Sequence, residues 1–214
     1  LLKNFSFLIC PMLNPDGVLL GNQRWSSLNI DINRCWNSPS ESLHPTLYMF
    51  KKMIIDLKIQ GFQIICFLDL HAHSRKFNCF FYCNPLKERN DQIMIDLMNL
   101  KCDMFDINEC TFTISNEKKN SARVVMWKEI DIPYCYTLEI GYGGILNGKY
   151  NGHNHCFKNV LEIGNSLANC LIDLQNIPET KQTILSNQEL KIDKSNEIKL
   201  TSNKINEFDN IMLI

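Results

Sequence analysis

The run FQIICFLDL, residues 62–70, is the feature that most restricts how this chain can fold. It is apolar almost throughout, and it lies between a predicted helix that ends at Gly61 and a polar cluster that begins at His71. Such a run is typical of a central strand whose two faces are both covered, as in parallel sheets flanked by helices. The fold is therefore predicted to form around this strand.

The remaining pattern alternates predicted strands with predicted helices, separated by turn residues such as Asn-Pro-Asp-Gly at 14–17. This order indicates an α/β fold with a mixed, mostly parallel central sheet and helices on both faces. The predicted helices are 38–61 (capped by Ser42), 90–105 and 154–174, and the further predicted strands are 5–10, 78–83, 111–114, 121–127 and 135–141.

Composition divides the chain at about residue 175. Residues 1–175 carry the predicted core, whereas Asn, Lys, Glu, Ser and Thr dominate residues 176–214. We therefore predict one domain over 1–175 and a polar, disordered tail over 176–214.

Bulk composition argues against some classes of function. The 214 residues carry a formal net charge of −1 at pH 7, which does not favour binding to nucleic acid or to an anionic membrane surface. No apolar run approaches the roughly 20 residues needed to cross a bilayer. The ten cysteines form no CxxC pair, which predicts reduced thiols in a cytosolic protein.

Two histidines, His71 and His73, follow the central run directly. Functional groups in α/β sheets gather at the carboxyl ends of strands, and a neutral imidazole there is a good zinc ligand. In an extended chain the two side chains share one face of the strand, whereas a turn would separate them. The alternative is that one or both imidazoles only hydrogen-bond nearby loops.

Arg24 and the pair Asn33-Arg34 lie close together in turn-rich segments, which favours a site for an anion. A guanidinium fits a carboxylate in a two-point fork that lysine cannot copy. The alternative is that these are ordinary surface arginines paired with Asp16 or Asp31.

Glu139 lies between Leu138 and Ile140 in an apolar predicted strand. A carboxylate in that position is costly unless it is paired, binds a metal or acts as a base with a raised pKa. The alternative is a solvent-facing position on an alternating strand.

Taken together, these segments resemble the cytosolic carboxypeptidases, a branch of the zinc metallocarboxypeptidases. The resemblance extends from about Leu8 to about Leu174 and is carried by ordered motifs: NPDG, GNxR, DxNR, DLHxHSRK, RVVMWK and a final strand glutamate. It implies a zinc carboxypeptidase-like fold, of which this chain is the C-terminal part of the catalytic domain.

The resemblance also implies roles for the candidate residues. His71 matches the third zinc ligand, and Asn33 with Arg34 matches the pair that grips the free C-terminal carboxylate of a peptide. Arg24 matches the arginine that polarises the scissile carbonyl, and Glu139 matches the general base. Asp69 is a candidate for orienting the site.

The implied activity is zinc-dependent removal of C-terminal amino acids, with Zn²⁺ as cofactor. The branch trims glutamate from acidic protein tails, so the expected partners are peptide or protein C-termini such as tubulin polyglutamate tails. The expected location is the cytoplasm, in association with microtubules. Candidates for an acidic-substrate subsite are Arg75, Lys76, Arg123 and Lys128.

One motif of the family is missing. Its first two zinc ligands come from an HxxE motif, and none of the five histidines here has Glu three residues later. The chain also begins at Leu1 rather than at a methionine and leads directly into LLKNFSFLIC, which is typical of a buried strand. We therefore expect the C-terminal piece of a longer enzyme, inactive alone and with an incomplete sheet. The alternatives are a non-catalytic relative that binds acidic chain ends, and an amidohydrolase of acylated amino acids on the same scaffold.

Overall fold

The structure is a computed structural model that describes residues 5–22, 24–86, 92–174 and 210–214. Over these residues, five strands and five α-helices follow each other in a predominantly alternating order, as predicted for an α/β fold. The strands are β1 (Ser6–Leu8), β2 (Gln63–His73), β3 (Cys79–Tyr82), β4 (Tyr134–Gly141) and β5 (Asn210–Leu213). The helices are α1 (Pro15–Leu19), α2 (Pro45–Ile59), α3 (Ile93–Lys101), α4 (Ala122–Lys128) and α5 (Phe157–Asp173).

The strands form one sheet in the order β1-β5-β2-β4-β3, and the predicted run becomes its central strand β2. All neighbours pair in parallel except β3, which is antiparallel to β4. The predicted mixed, mostly parallel sheet is thereby confirmed.

Each face of the sheet packs against a separate hydrophobic cluster. Leu68 of β2 joins the cluster formed with α3 and α5, whereas Phe67 joins the cluster formed with α2 and α4. Because side chains alternate along a strand, Asp69 and His71 lie on the Phe67 face, the one that α2 and α4 cover. Helices therefore flank both faces, as predicted.

The segment 121–127, predicted as a strand, is instead largely helix α4. Val124 and Val125 suggested a strand, but both their amides bond back to the Ser121 carbonyl. Residues 122–126 are all buried, so packing decides the conformation against the β preference of valine. The predicted strand 111–114 is also wrong, because Thr111 makes only an isolated bridge with Tyr82.

The structure also differs from the prediction at the starts of helices α1 and α2. The Asn-Pro-Asp-Gly turn begins helix α1, with the Asn14 side chain accepting a hydrogen bond from the Gly17 amide. Helix α2 begins at Pro45 with His44 as its N-cap residue, and Ser42 does not cap it. Proline suits the first helical position because its missing N–H would have no partner there.

The end of the predicted disordered tail lies in the sheet. Strand β5 sits between β1 and β2, and Met212 and Leu213 are completely buried. The prediction missed the apolar stretch 211–214 because the residues before it are polar. Burial of these apolar side chains offsets the conformational entropy lost when the segment becomes ordered. Residues 176–209 of that prediction lie outside the described residues.

In the part of the chain that is described, no helix has the length and apolar character needed to cross a membrane.

The position of β5 predicts a difference between two methionines. Replacing Met212, which is 0% exposed, with alanine should lower the free energy of unfolding by about 2–5 kcal/mol. Replacing Met49, which is 57% exposed, should change it by less than about 0.5 kcal/mol. Urea unfolding measures both, and equal effects would contradict the seating of β5 in the sheet.

Candidate active site

The parallel pairing of β2 with β4 brings the predicted metal ligand and the predicted base together. In the register of the two strands, His71 stands opposite Glu139 and Asp69 stands opposite Thr137. Residues two apart on a strand share a face, so these four side chains lie on one side of the sheet near its carboxyl edge.

The carboxylate of Asp69 connects His71 with Asn33. Its Oδ1 lies 2.8 Å from His71 Nε2, and its Oδ2 accepts a hydrogen bond of 3.2 Å from Asn33 Nδ2. The other end of the Asn33 amide, Oδ1, accepts a hydrogen bond of 2.9 Å from the Ala122 amide at the start of α4. Two predicted site residues are thus held by one carboxylate that β2 supplies.

Asp31 holds the two predicted arginines beside Asn33. Its Oδ2 accepts a hydrogen bond of 2.7 Å from Arg24 Nε and lies 4.0 Å from Arg34 Nε. Arg34 Nη1 also donates to the Asn33 carbonyl at 2.8 Å. Asn33 and Arg34 both belong to the short 3-10 helix Ile32–Arg34, which Asp31 caps.

The ion pair of Arg24 with Asp31 was the alternative for a surface arginine, and it is present. It does not remove Arg24 from the site, because Arg24, Asp31, Asn33 and His71 all line one cavity of about 630 Å³. Glu139 and Arg34 do not line that cavity.

Glu139 is a buried carboxylate at 7% exposure. Among the residues that the structure places, none forms a hydrogen bond or an ion pair with it. Burial raises the pKa of Glu139, while the positive charges of His71 and Lys118 oppose that rise. A carboxylate with a raised pKa beside a candidate metal ligand has the properties of a general base.

The two histidines of the strand have different surroundings. Burial lowers the pKa of His71, but the hydrogen bond and charge of Asp69 outweigh that effect and leave it raised. His73 instead packs its ring edge-on against Phe80, and its Nδ1 accepts from the amides of Arg75 and Lys76. Only His71 joins the predicted site, and His73 follows the alternative of bonding a nearby loop.

A bound zinc ion needs more ligands than these residues supply. A catalytic zinc site normally has three protein ligands, and an imidazole at the end of a strand can serve as one of them. No group of three His, Cys, Asp or Glu residues in the described ranges is placed to hold a metal ion. His71 therefore fits one position of such a site, and these ranges alone do not complete it.

Two residues of the site were missed by sequence reasoning. Asp31 was considered only as a partner for a surface arginine, although the DxNR motif places it two residues before Asn33. Lys118 was not singled out, yet its Nζ lies 3.6 Å from the centre of the Tyr82 ring and its charge acts on Glu139. Lys118 lies in the polar, charged segment SNEKKNS (115–121), whose composition does not distinguish it from a surface lysine.

Comparison with curated proteins finds similar chains, although no family model matches. The chain is 33% identical over 213 residues to cytosolic carboxypeptidase 1 of Danio rerio, covering 92% of this chain and 18% of that protein. It is 35% identical over 177 residues to cytosolic carboxypeptidase 4 of Homo sapiens, covering 75% of this chain and 16% of that protein. The chain thus spans less than a fifth of the length of these relatives.

Solved structures show the same fold. A metallo-carboxypeptidase from Burkholderia cenocepacia matches with a TM-score of 0.64 at 16% identity, covering 78% of this chain and 44% of that one. A metallo-carboxypeptidase from Pseudomonas aeruginosa matches with a TM-score of 0.63 at 20% identity, covering 77% and 44%. The fold is that of the zinc carboxypeptidases. Within that class, the chain belongs to the cytosolic carboxypeptidase family.

The buried carboxylate predicts a gain of stability when its charge is removed. The pKa of Glu139 is raised in the folded state, so the wild type loses stability relative to Glu139→Gln as the pH rises from the unfolded pKa through the folded one. At pH 8 we expect the free energy of unfolding of Glu139→Gln to exceed that of the wild type by roughly 0.5–2 kcal/mol. The gain should shrink toward zero below about pH 4.

Urea unfolding across this pH range measures the effect. The matched control is Glu41→Gln, at an exposed position, which should change little at any pH. A Glu139→Gln variant less stable than the wild type at pH 8 would contradict the unpaired state of this carboxylate.

Proposed function

We propose that this chain contributes to a zinc-dependent metallocarboxypeptidase that removes C-terminal amino acids, glutamate in particular, from acidic protein tails such as those of tubulin. The observation that carries the proposal is the pairing of His71 with Glu139 on adjacent strands. Asn33 is hydrogen-bonded to Asp69 of the same strand as His71, and Arg34 is bonded to the Asn33 carbonyl. The names of the relatives support a carboxypeptidase and a cytosolic location.

Asn33 and Arg34 would bind the free carboxylate of the substrate. Asn33 Nδ2 carries two protons and uses one for Asp69, so the second is available to a ligand. The guanidinium of Arg34 has five donors, of which the Asn33 carbonyl uses one. Only a chain end offers the carboxylate that such a clamp fits, which explains selectivity for the last residue.

Glu139 would act as the general base. Its carboxylate takes a proton from the attacking water and gives it to the leaving amine, which its raised pKa favours. The guanidinium of Arg24, fixed by Asp31, would stabilise the negative charge that develops on the carbonyl oxygen. A zinc ion, to which His71 would contribute one ligand, supplies Lewis acidity when bound.

Lys118 is the best candidate for recognising a glutamate side chain. It lies over Tyr82, whose strand partner Thr137 is two residues from Glu139, and no carboxylate of the described ranges is within ion-pair distance of it. Burial lowers the pKa of Lys118, and the charge of Arg123 adds to the lowering. A partly buried cation without a counter-ion would gain from an acidic ligand.

The other cations considered for this subsite are less suitable. Lys76 already pairs with Glu109 at 2.6 Å. Arg123 is buried and donates to the Cys83 carbonyl and to Asn84 Oδ1. Arg75 and Lys128 are exposed.

A second candidate function is binding without cleavage. The contacts of Asn33, Arg34 and Lys118 are compatible with it, because these side chains need no metal to bind an acidic chain end. This candidate predicts affinity for a free C-terminal glutamate without its release.

Release of glutamate tests the catalytic proposal. With zinc, the complete protein should release glutamate from a peptide that ends in glutamate and should ignore the same peptide with an amidated end. Glu139→Gln should lower kcat about 10²–10⁴-fold because the base is lost. Arg34→Ala should weaken binding at least about tenfold, whereas Arg75→Ala, at an exposed position, should not.

Turnover and peptide binding, measured side by side, separate the candidates. Binding of the free acid without turnover in the zinc-loaded protein would favour the binding candidate. Binding of the amidated peptide as tightly as the free acid would contradict both.

Two adjacent lysines test the preference for glutamate. Lys118→Met should reduce kcat/KM for peptides ending in glutamate relative to glutamine by about tenfold or more, because the cation facing the side chain is gone. Lys119→Met, at an exposed position, is the matched control and should leave this ratio unchanged. An unchanged ratio in Lys118→Met would exclude Lys118 as the determinant.

A further inference from the structure

We propose that Asp69 is a positioning residue that orients His71 and Asn33 together, an inference that deepens the proposed function and rests on it. Asp69 lies in the apolar run of β2, and its side chain is only 14% exposed. A carboxylate there is costly unless its oxygens accept hydrogen bonds, and each of the two oxygens has one donor, from His71 and from Asn33.

The contact with His71 determines which ring nitrogen carries the proton. Asp69 Oδ1 lies 2.8 Å from Nε2, and a carboxylate only accepts, so Nε2 is the protonated nitrogen. No described residue forms a hydrogen bond to Nδ1 of His71. In the neutral ring, Nδ1 therefore keeps a free lone pair, which is what a metal ligand needs.

The contact with Asn33 determines which way its amide points. The Ala122 N–H can only donate, so Oδ1 of Asn33 faces it and Nδ2 faces Asp69. Nδ2 also lies 3.4 Å from His71 Nε2, a distance between two donors that Asp69 makes tolerable by accepting from both. Asp69 therefore holds both the Asn33 amide, which would bind the substrate carboxylate, and the imidazole of His71.

The tautomer of His71 can be read in the protein without metal or substrate. In a long-range proton–nitrogen correlation spectrum recorded above the pKa of His71 and assigned with His71→Gln, Nε2 should carry the proton. That proton should exchange slowly with water because Asp69 accepts it. A wild-type spectrum with the proton on Nδ1 would overturn the proposal without any variant.

Variants of Asp69 test the coupling. In Asp69→Ala and in the isosteric Asp69→Asn, the Nε2 proton should exchange faster. The Ala122 amide should lose about threefold to tenfold of its protection against hydrogen exchange, because Asn33 is no longer held. Asp69→Glu, which keeps the charge, should restore part of both. The control Asp56→Asn removes an exposed aspartate that pairs with Lys52, and it should change neither signal.

Unchanged exchange at both positions in Asp69→Ala or Asp69→Asn would overturn the proposal. These measurements involve no zinc and no peptide. They can therefore succeed where the assay for glutamate release fails, or fail where it succeeds.

Discussion

The parallel pairing of β2 with β4 is the interaction on which the site depends. A parallel ladder repeats every two residues, so the register that sets His71 opposite Glu139 also puts both side chains on one face. A shift of one residue would turn one of them into the opposite cluster of the core. The apolar residues that precede His71 and Glu139 fix this register, because their side chains must face the core clusters. They therefore also determine where the imidazole and the carboxylate meet.

Charge around this pair is arranged unevenly. Asp69 accepts from His71 and Asn33, whereas Asp31 accepts from Arg24 and forms a longer ion pair with Arg34. Glu139 and Lys118 are partly or fully buried without an ionic partner in the described part of the chain. Groups that are satisfied provide a rigid frame, whereas groups left unsatisfied lower stability and remain available to a substrate.

The sequence predicted the elements whose pattern is local and strong. The central strand β2 and the strand β4 followed from apolar runs that end in polar residues, and family motifs pointed to His71, Asn33, Arg34, Arg24 and Glu139. It failed where packing or distance decides. Helix α4 contains strand-forming valines but is buried, and β5 is a short apolar stretch after a polar segment. Lys118 comes close to Tyr82, and its charge acts on Glu139, only through the fold.

The most direct test of the account is an experimental structure of the protein with bound zinc and a peptide that ends in glutamate. The account predicts the terminal carboxylate within hydrogen-bond distance of Asn33 Nδ2 and the Arg34 guanidinium, with Glu139 and His71 side by side at the carbonyl. The glutamate side chain should point toward Lys118. A carboxylate bound elsewhere, or His71 and Glu139 on opposite faces of the sheet, would contradict it.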